Sequence, residues 1–235
     1  MTSSAVIHRV TALDLTVKAW SWPWAAVERE RIDAHFDERQ RERPKLWNGR
    51  VLLARDANFS AGTLSSVYFE TDFASLLAWR DWGFPDSGVF NGFGMGALRS
   101  ADGAFVLGEM AGDTSNAGRI YFPAGTPDLD DVTDGRLDLA NNVAREIEEE
   151  TGIAPTDYRP APHWDCVVLG ASIALMRVLT VDMSGDALKA RIEANLAGQE
   201  HPELSRIHLV RTRADFRPSM PRFVTAFLER QFDGR

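Results

Sequence analysis

The sequence predicts an α/β protein, and three observations carry that prediction. Short runs with alternating apolar residues recur along the chain, bounded by Gly, Asp or Pro. Between them lie segments with apolar spacings of three and four and polar residues at their ends, the signature of amphipathic helices. The chain has 235 residues, 44% apolar and 26% charged, enough for one large α/β unit or a catalytic domain with a smaller partner.

The same composition excludes a disordered or fibrous chain. The formal charge is −8 and no Lys/Arg block occurs, which argues against a nucleic-acid partner, since phosphate contacts need a basic face. A single nucleotide, or a phosphate held through metal ions, stays open. One cysteine leaves no internal disulfide and fits a reducing cytosol. The most apolar stretch, 167–176, contains Gly170 and Ser172 and is too short to span a bilayer. The first five residues lack the basic region and apolar core of a signal peptide, so the expected location is cytoplasmic.

Taken in order, residues 5–20 alternate through Val6, Ile7, Val10, Leu13, Leu15 and Val17, which predicts one or two strands. Pro23 suits a first helical turn, and 25–43 reads as a polar helix ending before Pro44. Segments 51–54 and 63–71 predict strands with a turn at Ala61-Gly62. Asp72 is placed to cap a short helix over 73–82. A Gly-rich stretch follows over 83–96. Its end, Asn91-Gly92-Phe93-Gly94-Met95-Gly96, predicts a tight loop leading into a strand, and it lacks the Lys-Ser/Thr of a phosphate-binding P-loop. Strands are predicted over 94–99 and 105–110, joined at Asp102-Gly103. A short strand over 119–122 precedes a polar insertion and a helix over 139–151. Strands over 164–169 and 173–181 follow, then a helix from Ser184 stopped at Gly198, a strand over 207–211 and a closing helix over 221–232. This divides the chain into an N-terminal portion, 1–90, and a mixed α/β domain, 91–235. Trp20, Trp22 and Trp24 are expected to pack in a core or an interface. Cys166 is expected to be a buried, inert thiol, and no histidine has a metal-spaced partner.

The chemistry concentrates in Arg145-Glu146-Ile147-Glu148-Glu149-Glu150-Thr151-Gly152-Ile153. On a helix, Leu139, Val143 and Ile147 repeat along the buried face. Glu146, Glu149 and Glu150 fall at roughly 0°, 300° and 40°, on one face beside it. Glu148 points to solvent. Like charges at this spacing repel by about 0.2–0.5 kcal/mol per pair on an exposed helix, and by more when partly buried. A hard divalent cation offsets that repulsion. Arg145 is placed to orient the carboxylates, and Gly152 to close the helix.

These nine residues match the second half of the Nudix box, Arg-Glu-apolar-any-Glu-Glu-any-Gly-apolar, at every fixed position. Upstream, Phe122-Pro123-Ala124-Gly125 resembles the entry to the Nudix loop, so the chain resembles the Nudix hydrolase family over 122–153. Two departures stand out. Gly125 precedes Arg145 by twenty positions, where the family has fourteen, which puts extra residues in 126–136. Leu137 stands where the family has a glutamate; Asp138 beside it suits a helix cap, and Asp131 or Asp134 is placed to supply the carboxylate instead.

The resemblance implies a Nudix-type α/β/α sandwich (α/β, or α+β) with a mixed sheet and an N-terminal extension of strands and helices. It implies Mg²⁺ or Mn²⁺ as cofactor, held by Glu146, Glu149, Glu150 and the carbonyl of Ala124. Glu146 and Glu149 would be catalytic, with Arg145 orienting the cluster. Many members place a further base in a later loop; Glu200 and Glu203 are the candidates, with Glu203 preferred. The expected function is hydrolysis of a pyrophosphate bond in a nucleoside diphosphate derivative. The Pro-Ala-Gly spelling and the extension resemble ADP-ribose and nucleotide-sugar pyrophosphatases. Trp47-Asn48-Gly49, ahead of 93–98, resembles the UDP-glucose-hydrolysing branch. Pro160 and Pro162 come too early for the proline that marks many ADP-ribose enzymes, so a nucleotide sugar is expected. Trp47, Trp82, Phe84 and Phe90 are candidates to wall the base. Two rival readings are a degenerate Nudix domain that senses a nucleotide, favoured by Leu137 and the long loop, and a diphosphate isomerase using Cys166. The expected partners are a small-molecule nucleotide and, by analogy, a second copy of the chain; no membrane or nucleic acid is expected.

Overall fold

The glycines of 92–96 do not form a loop. In the computed structural model, which describes residues 4–234, they lie within a long central strand. The chain opens with β1 (Val6–Val10) and β2 (Ala12–Val17), then α1 (Pro23–Val27) and α2 (Arg29–Glu42). The single helix expected over 25–43 is therefore broken at Glu28. Next come β3 (Arg50–Ser60), β4 (Thr63–Asp72), α3 (Phe73–Asp81), β5 (Val89–Arg99), β6 (Phe105–Met110) and β7 (Ile120–Tyr121). The insertion folds as β8 (Val132–Thr133) and β9 (Arg136–Leu137). It is followed by α4 (Leu139–Thr151), β10 (Tyr158–Pro160), β11 (Trp164–Leu169), β12 (Ser172–Val181), α5 (Gly185–Ala197), β13 (Leu204–Val210) and α6 (Arg222–Asp233).

Among the described residues the thirteen strands join one mixed sheet, whose main path runs β1-β11-β12-β5-β3-β4-β2-β9-β8. The β12–β5 and β2–β4 pairs are parallel, and β6 pairs with β13, β5 and β7. Helices cover both faces around β5. Gly94 and Gly96 face α4, whereas Phe93, on the opposite face of the pleat, meets Phe223 of α6 edge-on at 5.7 Å. This is the α/β class that the sequence predicts.

The glycines of β5 have a packing reason. A Cβ on Gly94 would lie 2.5 Å from Val143 Cγ2, and one on Gly96 would lie 2.5 Å from Ile147 Cδ1. The strand lacks side chains where the helix needs to seat, which is why a turn-like composition sits inside a strand. Further along the sheet, β3 is buried on both faces. Leu52 joins the main core, while its neighbour Leu53 joins a second core with Trp22, Ile32, Phe69 and Trp79. Trp20 and Trp24 pack against that second core, as expected of the tryptophan cluster.

The insertion is a tight hairpin. Asp134 and Gly135 both adopt positive φ (50° and 72°), a two-residue turn suited to closing short strands. The hairpin docks on β2 through the Thr16–Arg136 pairing, the Val17 N–H to Gly135 carbonyl bond (2.8 Å) and the Arg136–Asp14 ion pair (2.8 Å). Leu137 is consequently a core residue, 6% exposed. No helix among the described residues is long and apolar enough to cross a membrane.

Candidate active site

Helix α4 begins where Asp138 accepts the Asn141 N–H at 3.0 Å, so Asp138 is the cap. Leu139, Val143 and Ile147 form its buried stripe against β5. The helix ends at Gly152, whose φ of 69° suits glycine and whose N–H donates to the Glu148 carbonyl at 2.8 Å. A helix pinned at both ends has a fixed rotational phase, and that phase decides what each glutamate meets.

Glu148 is exposed. Glu149 stands at the rim with 60% of its side chain exposed. Glu146 is turned inward, its side chain 14% exposed, and Glu150 is buried at 5%. The three therefore share a face but differ in depth.

The turn after β7 closes over them. The Pro123 carbonyl accepts the Gly96 N–H at 3.2 Å, which ties the turn to the central strand. The Ala124 N–H donates to Glu150 Oε1 at 3.3 Å. Gly125 lies so close to Glu146 that a Cβ there would overlap its carboxylate. Glu150 Oε2 is buried and has no hydrogen-bond partner.

Burial is the leading influence on both inner carboxylates. It pushes Glu146 up to about 7, against the pull of Arg145 and with the added push of Glu149, Glu203 and Asp131. Burial likewise holds Glu150 well above the usual carboxylate range, reinforced by Glu146 and Glu203, and the Ala124 N–H offsets only part of this. Arg145 Nη1 lies 2.8 Å from Glu146 Oε1 and 3.3 Å from Glu149 Oε2, so it spans these two carboxylates. Its other nitrogen, Nη2, lies 3.3 Å from Asp131 Oδ1.

Asp131 sits in the 3-10 turn that begins the insertion. It is 2% exposed and accepts from Asn142 Nδ2 at 2.8 Å and from the Asp128 N–H at 3.1 Å. Of the two replacement carboxylates that the sequence offered, Asp131 reaches Arg145, while Asp134 lies in the exposed hairpin turn.

Two adjoining hollows meet at this cluster. One, of about 330 Å³, is lined by Glu146, Glu149, Glu150, Glu200 and Glu203 with Gln199 and His201. The other, of about 550 Å³, is open to solvent and carries Glu146 and Glu203 with Trp47, Phe73 and Tyr121 on its walls. Glu203 lines both hollows and adds to the charge felt by Glu146 and Glu150. Glu200 lines only the smaller one.

Of the aromatic candidates for a base wall, Trp47 is on the wall and 79% exposed. Trp82 and Phe84 instead pack edge-on against Trp24 and Trp79, and Phe90 packs on the main core. Phe73 and Tyr121 are walls that sequence reasoning missed, because their partners are distant in the chain. Cys166 is fully buried in β11, with its thiol pushed up to about 12 by burial, and it lines none of these hollows.

The donor chemistry fits a hard divalent cation: oxygen ligands of differing depth, one buried carboxylate oxygen without a partner, and a glycine that leaves room beside another. Among the described residues no three acidic or imidazole side chains stand close enough to form a ready-made ligand set.

No protein-family model and no curated protein matches the sequence. Several solved structures are similar to part of it. A Nudix hydrolase from M. smegmatis, RenU, is 12% identical, with a TM-score of 0.39, covering 60% of this chain and 82% of that one. The MutT protein from Methanosarcina mazei Go1 is 20% identical, with a TM-score of 0.39, covering 62% and 94%. A Nudix hydrolase from Nitrosomonas europaea is 16% identical, with a TM-score of 0.38, covering 62% and 90%. Two of these three are described as Nudix hydrolases, the family whose box the residues 145–153 resemble.

Proposed function

We propose that the protein is a divalent-metal-dependent pyrophosphohydrolase of the Nudix type, acting on a nucleoside diphosphate derivative, with a nucleotide sugar as the substrate class. The observation that carries this reading is Glu150. A buried carboxylate oxygen without a donor, under the charge of Glu146, Glu203 and Glu149, is costly unless a cation shares the site.

Glu146, Glu149 and Glu150, with the Ala124 carbonyl, would hold Mg²⁺ or Mn²⁺. Bound there, the cation neutralises charge on the pyrophosphate. Each remaining role belongs to a residue of the chain. The Ala124 N–H fixes Glu150. Arg145 spans Glu146 and Glu149 and keeps both directed at the hollow. Glu146 lines both hollows, so it is placed either to share the cation or to take a proton from the attacking water. Glu203, from the loop before β13, faces the same space and is the candidate for the base outside the helix. Trp47 offers an exposed ring at the mouth for a nucleobase to stack on.

The Asp131 carboxylate beside Arg145 supports the enzyme over the sensor that Leu137 and the lengthened loop suggested. The reading also keeps a cytoplasmic enzyme without nucleic-acid partners, 1–90 as an extension to the hydrolase domain, and dimerisation through that extension.

The test is a hydrolysis screen with Mg²⁺ or Mn²⁺ at mildly alkaline pH. The panel contains ADP-ribose, UDP- and GDP-sugars, NADH, CoA, dinucleoside polyphosphates and nucleoside triphosphates, with Glu149→Gln as the blank. Metal-dependent release of a nucleoside monophosphate by the wild type alone is expected. Equal turnover by Glu149→Gln would refute the metal assignment. No turnover, with thermal stabilisation by one nucleotide, would return the sensor reading.

A further inference from the structure

Beyond Tyr121 the active-site hollow adjoins a second cleft, of about 530 Å³, whose character is opposite. Three guanidinium groups line it, those of Arg43, Arg80 and Arg119, against one carboxylate, Asp81. The three arginines come from distant parts of the chain: the end of α2, the end of α3 and the residue before β7. Arg43 donates through Nη1 to the Ser115 carbonyl at 3.1 Å. Arg80 is tied through Nε to Asp81 at 3.2 Å, and its charge is felt at the Tyr121 hydroxyl. Arg43 and Arg119 have no carboxylate partner among the described residues.

Three guanidinium groups around one hollow, two of them without a carboxylate partner among the described residues, make its wall strongly positive. Arginine is also the side chain whose planar fork matches a carboxylate or phosphate. Two further observations point to a ligand. Asn91 Oδ1 borders this cleft, is buried, and has no hydrogen-bond partner. That oxygen is an acceptor, so it would suit a hydroxyl of the bound molecule and not its acidic group. Phe93 and Phe223 give the cleft an apolar wall at its far side, so the cleft combines charge recognition with an apolar surface, as small-molecule sites do.

We propose that this cleft is a subsite for a second acidic group, carried by the substrate on the part remote from the scissile pyrophosphate. Arg43, Arg80 and Arg119 would recognise that group. The inference rests on the hydrolase reading for its orientation: the acidic hollow takes the pyrophosphate, and the basic cleft takes the acidic group on whichever half of the substrate reaches it, the sugar or the nucleoside. It narrows the substrate class to derivatives bearing such a group, either a carboxylate or a phosphate monoester.

The test uses matched pairs that differ by one acidic group: UDP-glucuronate against UDP-glucose for a carboxylate, and CoA against dephospho-CoA for a phosphate. Kd is measured by calorimetry on the full chain with Ca²⁺ present, a hard cation that occupies oxygen ligands, and each ligand is recovered intact afterwards to exclude turnover. At least one acidic member is expected to bind tenfold or more tightly than its neutral twin. That preference should shrink as salt is raised and fall below threefold in Arg43→Gln and in Arg119→Gln. Arg119 is exposed, so its variant keeps the fold. A preference confined to CoA names a phosphate; one confined to UDP-glucuronate names a carboxylate. Equal affinities within both pairs, no binding of any member, or a preference that survives both variants would overturn the proposal. The hydrolase reading is judged separately. Metal-dependent turnover of the neutral members without a pair preference sinks only the subsite. A pair preference without turnover of any compound sinks only the hydrolase.

Discussion

Arg145 Nη2 lies 3.3 Å from Asp131 Oδ1, and the Asp131 side chain is 1% exposed. A buried carboxylate from the insertion thus anchors the arginine that spans the glutamate cluster. Asp131→Ala would leave Asn142 Nδ2 and one arm of Arg145 without their acceptor. A buried donor left unpaired costs about 1–3 kcal/mol, so a fall of several degrees in Tm is expected, with loss of activity. Leu137→Glu should not rescue it, because position 137 is in the core. A rescued double variant in thermal melts and rate assays would contradict the assignment.

Glu146 makes stability depend on pH in a definite sense. Its pKa is about 7 in the folded protein and near 4.5 unfolded, so the folded state binds the extra proton. Its contribution favours folding below about 4.5 and is lost as pH rises towards 7. Melting curves without divalent cation should show this loss between those values, and Glu146→Gln should flatten it. A wild-type curve that rises through the same window would show that Glu146 is not raised.

Glu150→Gln removes a buried charge that has no donor of its own at Oε2. Without metal at pH 8 the variant should melt higher than the wild type, by about 2–4 °C for each kcal/mol relieved. With Mn²⁺ the order should reverse, because a ligand at a hundredfold excess over Kd stabilises by about 2.7 kcal/mol and the variant forfeits that. Scanning fluorimetry with and without Mn²⁺ checks both halves.

Gly125→Ala would force Glu146 aside, since the added carbon overlaps its carboxylate. The turn itself is only half-buried, so the fold should survive. A tenfold or greater fall in kcat with a Tm within a few degrees of wild type is expected. Glu148→Gln, on the exposed side of the same helix, should leave kcat unchanged.

Helix α4 and the face shared by Glu146, Glu149 and Glu150 were open to reading from sequence, because Asp138, Gly152 and the Leu139-Val143-Ile147 stripe set the helix ends and phase locally; their different depths were not, because the turn of 123–125 that covers them is set by the tertiary fold. Strand β5 was not, because its glycines carry the signal of a turn and their reason for being there lies on another element. Asp131 could be named only alongside Asp134, since the choice depends on how the insertion folds. The arginines of the second cleft are 37 and 39 positions apart in sequence and meet only through the tertiary fold.

The hairpin of β8 and β9 carries a consequence for the chain's modularity. Asp131 leads directly into β8, and that hairpin is held by β2, near the start of the chain. The carboxylate that anchors Arg145 is therefore held from two sides, by Asn142 and Asp138 at the start of α4 and, through the hairpin, by the extension. A chain trimmed to its Nudix-like half would keep every glutamate of the cluster and lose the hold through the hairpin. Removing the first ninety residues should therefore loosen Arg145 without freeing it, a partial loss that thermal melts and rate assays on the trimmed chain would read.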